Sequence, residues 1–213
     1  MKKFIKSLAV VLSFVMILTI ISPVSDVQAA TQKTYERNAQ KYLNAASNDC
    51  KKIMNTIYNS WYFHIYKVDD CISYIDDNND FHMEILKPYC NYTGIPESEV
   101  KKIIKEFYGT DDIEDDDIYG YLSVLDCSID IVTTYYSRNG TYKKISNNLN
   151  KAKKNIKKMS NKKSKKKLLQ NYYNAVNKYY KFVSNPSGSF SELNGKRDSL
   201  NEKVDDCKEE LSW

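Results

Sequence analysis

The sequence predicts an all-α chain, and three observations carry that expectation. Glycine and proline number only 6 and 4 in 213 residues, whereas strands joined by tight turns need more of both. Apolar residues recur at steps of three and four over long stretches, the signature of one buried helical face. The connections between those stretches are short, which makes successive helices antiparallel neighbours. The expected architecture is therefore an elongated antiparallel helical bundle, coiled-coil-like, occupying residues 31–213 behind an N-terminal signal peptide in residues 1–30.

The leader reads MKKFIKSLAVVLSFVMILTIISPVSDVQAA: Lys2, Lys3 and Lys6, an apolar run from Leu8 to Ile21, then Pro23 and small residues at Val27 and Ala29. That order is the pattern of a secretory signal peptide with cleavage near Ala29 or Ala30. The apolar run falls short of the roughly 20 residues a spanning helix requires, and no cysteine follows the cut to accept a lipid. The expected product is secreted and extracellular, without a transmembrane segment after cleavage. Its lysines offer a means of retention at the cell surface.

The first long helix is expected at about 33–78, with Leu43, Ala46, Cys50, Ile53, Ile57, Trp61, Ile65, Val68, Ile72 and Ile75 as its apolar stripe. At about 1.5 Å per residue it would be a rod of about 69 Å. An irregular crossing follows, DDNNDFHMEILKPYCNYTGIPESEV, with turn formers at both ends and Pro88 inside. A short helix is expected at 97–108, opened by Pro96 and stopped by Gly109. After the acidic turn DDIEDDD, a second long helix is expected at 116–160, through Leu122, Leu125, Ile129, Val132, Tyr136, Tyr142, Ile145, Leu149, Ala152, Ile156 and Met159. A second row, Val124, Cys127, Ile131 and Tyr135, widens its first half. The Asn139, Gly140 pair is a cap or a kink. SNKKSKKK at 160–167 marks a break, because clustered lysines repel and favour a solvated end; one helix from 116 to 184 is the alternative. A C-terminal helical hairpin is expected at about 164–211, where Ser189 and Glu192 have the spacing of a capping box.

VSNPSGSF, joining those last two amphipathic helices, resembles a helical hairpin in uncharacterised secreted or surface proteins of Gram-positive bacteria. The resemblance spans about residues 165–211. It implies a hairpin in an exported protein and carries no catalytic residues.

Four of the five cysteines follow an aspartate: Cys50, Cys71, Cys127 and Cys207. Where the cysteine sits on an apolar seam, the preceding aspartate lies about 100° round at the rim, so the pairing needs no chemistry. Export adds a disulfide reading. If the two long helices fold back about residue 97, Cys71 meets Cys127; Cys50 with Cys207 needs a register shift, and Cys90 is left over. A metal site built from His64, Cys71, Cys127 and nearby aspartates lacks the close ligand pairs zinc uses. Calcium has a weak match in DDDIYGYLSVLD at 115–126, with Tyr119 in a ligand place, and DDNND at 76–80 fails sooner. No cofactor is expected. With two histidines, His64 and His82, and no GxSxG, HExxH, GxxxxGK[ST] or GxGxxG, the chain is expected not to be an enzyme.

Charge is the strongest functional feature. Residues 131–191 contain no acid but hold Arg138 and fourteen lysines, while residues 69–117 carry a net charge of −11. Lys143, Lys144, Lys151, Lys153, Lys154, Lys157 and Lys158 ring one helix, and Lys162, Lys163, Lys165, Lys166 and Lys167 follow. Such a stretch attracts a cell-wall polyanion, an anionic surface or nucleic acid without sequence specificity. Adjacent tyrosine pairs at 172/173 and 179/180 place one row in the core. Tyr172 and Tyr179 are the candidates for contact with another protein. The expected function is a non-enzymatic binding or structural module at the bacterial surface; the alternative is a secreted helical toxin or membrane-active protein.

Overall fold

The structure is a computed structural model that describes residues 2–68, 71–75, 81–109, 115–160 and 164–212. In chain order it comprises α1 (Lys2–Tyr66), β1 (Ile72–Ile75), β2 (Phe81–Glu84), α2 (Leu86–Thr93), α3 (Glu97–Tyr108), α4 (Asp115–Leu122), α5 (Leu125–Arg138), α6 (Thr141–Lys158), α7 (Ser164–Ser184) and α8 (Phe190–Glu210). The all-α class is compatible with this arrangement, in which one short antiparallel strand pair interrupts the helices.

That pair corrects the expected 33–78 helix. The helix ends at Tyr66, and β1 pairs with β2 from Ile72 opposite Glu84 to Ile75 opposite Phe81. Ile72 and Ile75 fit a helical stripe by spacing, but ISYI is rich in β-branched and aromatic residues and runs into the turn formers DDNND. The apolar stripe also stops early, since Ile65 is 42% exposed. The expected irregular crossing is partly regular: α2 carries Pro88 in its first turn, where the missing N–H removes no helix bond.

The expected 116–160 helix is three helices. Val124 is extended (φ −96°, ψ 122°) between α4 and α5, and Gly140 takes φ +77° between α5 and α6, a conformation that favours glycine because it carries no Cβ. Val124, expected in the widened apolar face, is exposed. After Lys158 the chain leaves helix at Met159 (φ −75°, ψ 146°) and re-enters it at Ser164, so α6 and α7 are separate. Around α3, Pro96 and Gly109 occupy the two ends, with Gly109 N–H bonded to the Lys105 carbonyl at 2.8 Å. At the start of α8 the Ser189 hydroxyl accepts from Glu192 N–H while the Glu192 carboxylate accepts from Ser189 N–H, a complete capping box.

α1 is the axis on which α5, α6, α7 and α8 pack. Its stripe Ala39, Leu43, Ala46, Cys50, Ile53 and Ile57 has no solvent exposure. Cross-helix contacts give the directions. Asp49, Tyr42 and Tyr35 meet Lys144, Lys151 and Lys158, so α6 runs opposite to α1. Ser47 and Glu36 meet Tyr172 and Lys165, so α7 runs with it. Lys51 and Tyr58 meet Asp205 and Arg197, so α8 runs opposite.

Tyrosine supplies much of the interior, and each buried hydroxyl named here has a partner. Tyr136 meets Thr56 at 2.9 Å; Tyr89 donates to the Ser128 carbonyl at 2.8 Å, beside Ser60; Tyr142 donates to the Val183 carbonyl at 2.9 Å. The rings add apolar area while the hydroxyls fix which helices meet where.

Candidate functional site

The lysine-rich segment becomes two helices, α6 and α7, that contain twelve lysines and no acidic residue. α6 buries Ile145, Leu149, Ala152 and Ile156. With a 100° step per residue its lysines then fall on two distinct rows.

The first row, Lys144, Lys151 and Lys158, is spaced by seven and lies against α1, whose Asp49, Tyr42 and Tyr35 are spaced by seven in the opposite direction. Lys144 Nζ donates to Asp49 Oδ1 at 3.1 Å and lies 3.0 Å from Oδ2, out of line for a bond to it. Lys151 Nζ stands 5.4 Å from the centre of the Tyr42 ring and Lys158 Nζ 5.5 Å from that of Tyr35, both within cation–π range. Lys165, seven residues on, pairs with Glu36 at 3.1 Å, and Lys166 donates to the Met159 carbonyl at 2.8 Å. These lysines have partners across helix contacts, although Lys144, Lys151 and Lys158 remain exposed, so each contact contributes modestly.

The second row faces water. Lys143 and Lys154 stand opposite the buried face of α6, with Lys157 and Lys153 beside them toward α7. All four are exposed, as are Lys167, Lys178 and Lys181 on α7. Among the described residues none of the seven side chains has a hydrogen bond, ion pair or ring contact. Lys178 and Lys181 are absent from the residues singled out by sequence; their signal is position on the outer face of α7, legible once Tyr172, Val176, Tyr179 and Val183 are known to be its inner face. Lys162 and Lys163 lie outside the described residues.

Two sequence expectations are corrected here. Tyr172 and Tyr179 are fully buried and are not contact residues: Tyr172 Oη donates to Asn44 Oδ1 at 2.9 Å and lies 3.1 Å from Ser47 Oγ, and Tyr179 Oη donates to Asn201 Oδ1 at 2.8 Å. α7 packs against α1, α6 and α8, so its buried face is wide enough to take this row whole, leaving Tyr173 and Tyr180 half-buried at the edge. The second correction concerns the cysteines: no disulfide joins them among the described residues. The Cys71 to Cys127 pairing presumed two long helices folded about residue 97, and the hairpin, α2 and α3 replace that geometry. Cys50 and Cys207 are buried on the seams of α1 and α8, where Asp49 and Asp206 sit nearer the surface. Burial pushes the Cys50 thiol well above its usual range, with Asp49 adding to the effect. Burial, with Glu97, raises Cys90 to about 12, and burial also raises Cys127 and Cys207. Raised in this direction, these thiols stay protonated at neutral pH.

No group of three or more His, Cys, Asp or Glu that could hold a metal occurs among the described residues. The 115–126 calcium match does not form a loop, because Asp115–Leu122 is helical. DDNND at 76–80 lies outside the described residues. His64 is half-buried on α1, and its Nδ1 is buried with no hydrogen-bond partner among the described residues.

A second surface was missed by sequence. Tyr58, Tyr62 and Tyr66, one turn apart on α1, gather around Phe190, whose ring centre lies 5.3, 6.5 and 5.9 Å from theirs. Tyr66 and Tyr92 are exposed. The four-residue spacing on α1 is the signal that could have found it.

Among the described residues no helix is long and apolar enough to cross a membrane. Comparison with family models, curated proteins and solved structures returned no match.

Proposed function

We propose that this is an exported, elongated antiparallel helical bundle, released from its leader near Ala30, which acts without catalysis as a binding module for anionic polymers at the bacterial surface. The observation that carries the reading is the outer lysine face: Lys143, Lys153, Lys154 and Lys157 on α6 with Lys167, Lys178 and Lys181 on α7, all exposed and on helices without a single acid. The acids of α1 that could neutralise this region, Asp49 and Glu36, are engaged by Lys144 and Lys165. On the α7 side Lys178 shares a groove with Glu202, Asp206 and Glu210 of α8, which partly offset its charge; acids more than about 8–10 Å from α6 are screened at physiological salt and do not cancel its lysines. The attraction is electrostatic, modest and salt-dependent.

The test is retention of the purified protein on a phosphate-bearing matrix across a salt gradient. Retention at low salt that is lost steeply as salt rises is the expected result. Elution with neutral proteins at low salt refutes the reading and moves weight to a protein partner met through Tyr62, Tyr66 and Tyr92, a second reading that rests on their partial exposure.

A further inference from the structure

We infer that the occupant of the outer lysine face is a linear phosphodiester polymer recognised through its phosphates alone, and that Lys143, Lys154 and Lys157 are its principal contacts; the inference rests on the polyanion reading above. Three features of the face set the chemistry. It is a stripe along one helix, about 21 Å from Lys143 to Lys157 at 1.5 Å per residue, which suits an extended chain. It holds no arginine: the three arginines of the chain are Arg37, Arg138 and Arg197, outside α6 and α7. It also presents none of the exposed large apolar side chains, which are Ile65, Tyr66, Tyr92, Phe107, Tyr108 and Val124 among the described residues.

Each absence removes a class of contact. Stacking on unstacked bases needs exposed aromatic platforms or arginine planes, and the face has neither; Asn147 and Asn150 are amides able to meet a base edge, and the comparison of DNA with the abasic oligomer reads their contribution. Lysine is a compact charge that meets phosphate without fixing an orientation. Binding within a bilayer interface needs an apolar face able to enter it, whereas the residues between these lysines on α6, Asn147 and Asn150, are polar. What remains is a row of flexible point charges matched to a row of negative ones. The neighbouring row, Lys144, Lys151 and Lys158, is also exposed but has partners on α1, so a ligand that takes these lysines does so at the cost of those contacts.

The experiment measures affinity of the full chain across a salt series for three probes: an abasic deoxyribose-phosphate oligomer, single-stranded DNA of equal phosphate number, and vesicles containing phosphatidylglycerol. The wild type is expected to bind the first two within about threefold of each other, and the vesicles more weakly. The variant K143Q/K154Q/K157Q should lower the slope of log K against log salt by about two, about 16-fold over a fourfold change in salt, with an unchanged thermal melt. K144Q/K151Q/K158Q should lower the melt and leave most of the slope. DNA bound more than about tenfold tighter than the abasic oligomer, or vesicles bound in preference to both, overturns the assigned occupant. An unchanged slope in K143Q/K154Q/K157Q overturns the assigned contacts while polyanion binding stands. No binding of any probe at low salt removes the polyanion reading itself.

Discussion

Replacing Tyr172 by phenylalanine removes one oxygen from a site with no solvent exposure. That oxygen donates to Asn44 at 2.9 Å and sits 3.1 Å from Ser47. A buried hydrogen bond contributes about 1 kcal/mol net, and a partner left without one costs more. Ser47 keeps its bond to the Asn44 carbonyl at 3.2 Å, so the side-chain oxygen of Asn44 carries most of the loss. We expect Tyr172→Phe to cost about 2 kcal/mol, and Tyr172→Ala about 3–5 kcal/mol because the ring leaves a cavity. Tyr173→Phe, one residue on and half-buried, should change stability by no more than about 0.5 kcal/mol. Urea and thermal unfolding followed by circular dichroism measure both, with Tyr172→Phe melting about 4–8 °C lower if the chain unfolds as one unit. A neutral Tyr172→Phe beside a costly Tyr173→Phe would reverse the facing of α7 and refute the reasoning.

Gly140→Ala should destabilise by about 1 kcal/mol through backbone conformation alone, since φ is +77° and a Cβ there would meet nothing within 4 Å; a stabilised variant in the same unfolding assay contradicts the left-handed turn. K144Q/K151Q/K158Q should cost about 1.5 kcal/mol from two exposed cation–π contacts and one ion pair, and a melt equal to wild type counts against the ladder between α1 and α6. Alkaline titration probes the buried tyrosines. Burial raises Tyr89, Tyr142, Tyr172 and Tyr179 well above their usual range, and Tyr121 to about 12. The unfolded chain releases these protons near pH 10 while the fold retains them, so their contribution is intact below pH 10 and is lost as pH rises above it, by about 1.4 kcal/mol per pH unit for each such group. Absorbance at alkaline pH should show these tyrosines ionising together with loss of helix; ionisation of all tyrosines near pH 10 with the helices intact refutes their burial.

Local signals in the sequence were the most legible. The helix between Pro96 and Gly109 and the capping box at Ser189 rest on residues whose effect is confined to one turn, and the structure has both. Spacing over longer distances misled. Ile72 and Ile75 continue the α1 stripe in number, yet two positions three apart cannot distinguish a helix from a strand end, and the pairing that decides it comes from residues 81–84. The tyrosine row of α7 failed for a related reason. Tyr173 and Tyr180 fit the heptad with Leu169 and Val176 as well as Tyr172 and Tyr179 do, and the choice depends on where Asn44, Ser47 and Asn201 supply hydroxyl partners. The lysine surface was legible as a charge excess, but its division into two rows was not. That division exists only when Asp49, Tyr42 and Tyr35 arrive from another helix.

The division limits how strongly this protein can grip a polyanion. The charge excess of residues 131–191 is fifteen, and if every charge displaced a counterion from a flexible polymer the slope of log K against log salt would approach ten, at about 0.7 per contact. Lys144, Lys151, Lys158 and Lys165 are held against α1, Lys166 is bonded at Met159, and Arg138 is paired with Glu106. Releasing them would cost the contacts between helices. Among the described residues the seven exposed lysines without such partners account for a slope of about five; Lys162 and Lys163, outside the described residues, add at most about 1.4, and one linear chain following α6 alone reaches fewer. A measured slope of three to five, about the value this geometry sets, fits a ligand held by the outer row. A slope near ten would mean that the ladder opens on binding, and the melt of the complex would then fall below that of the protein alone.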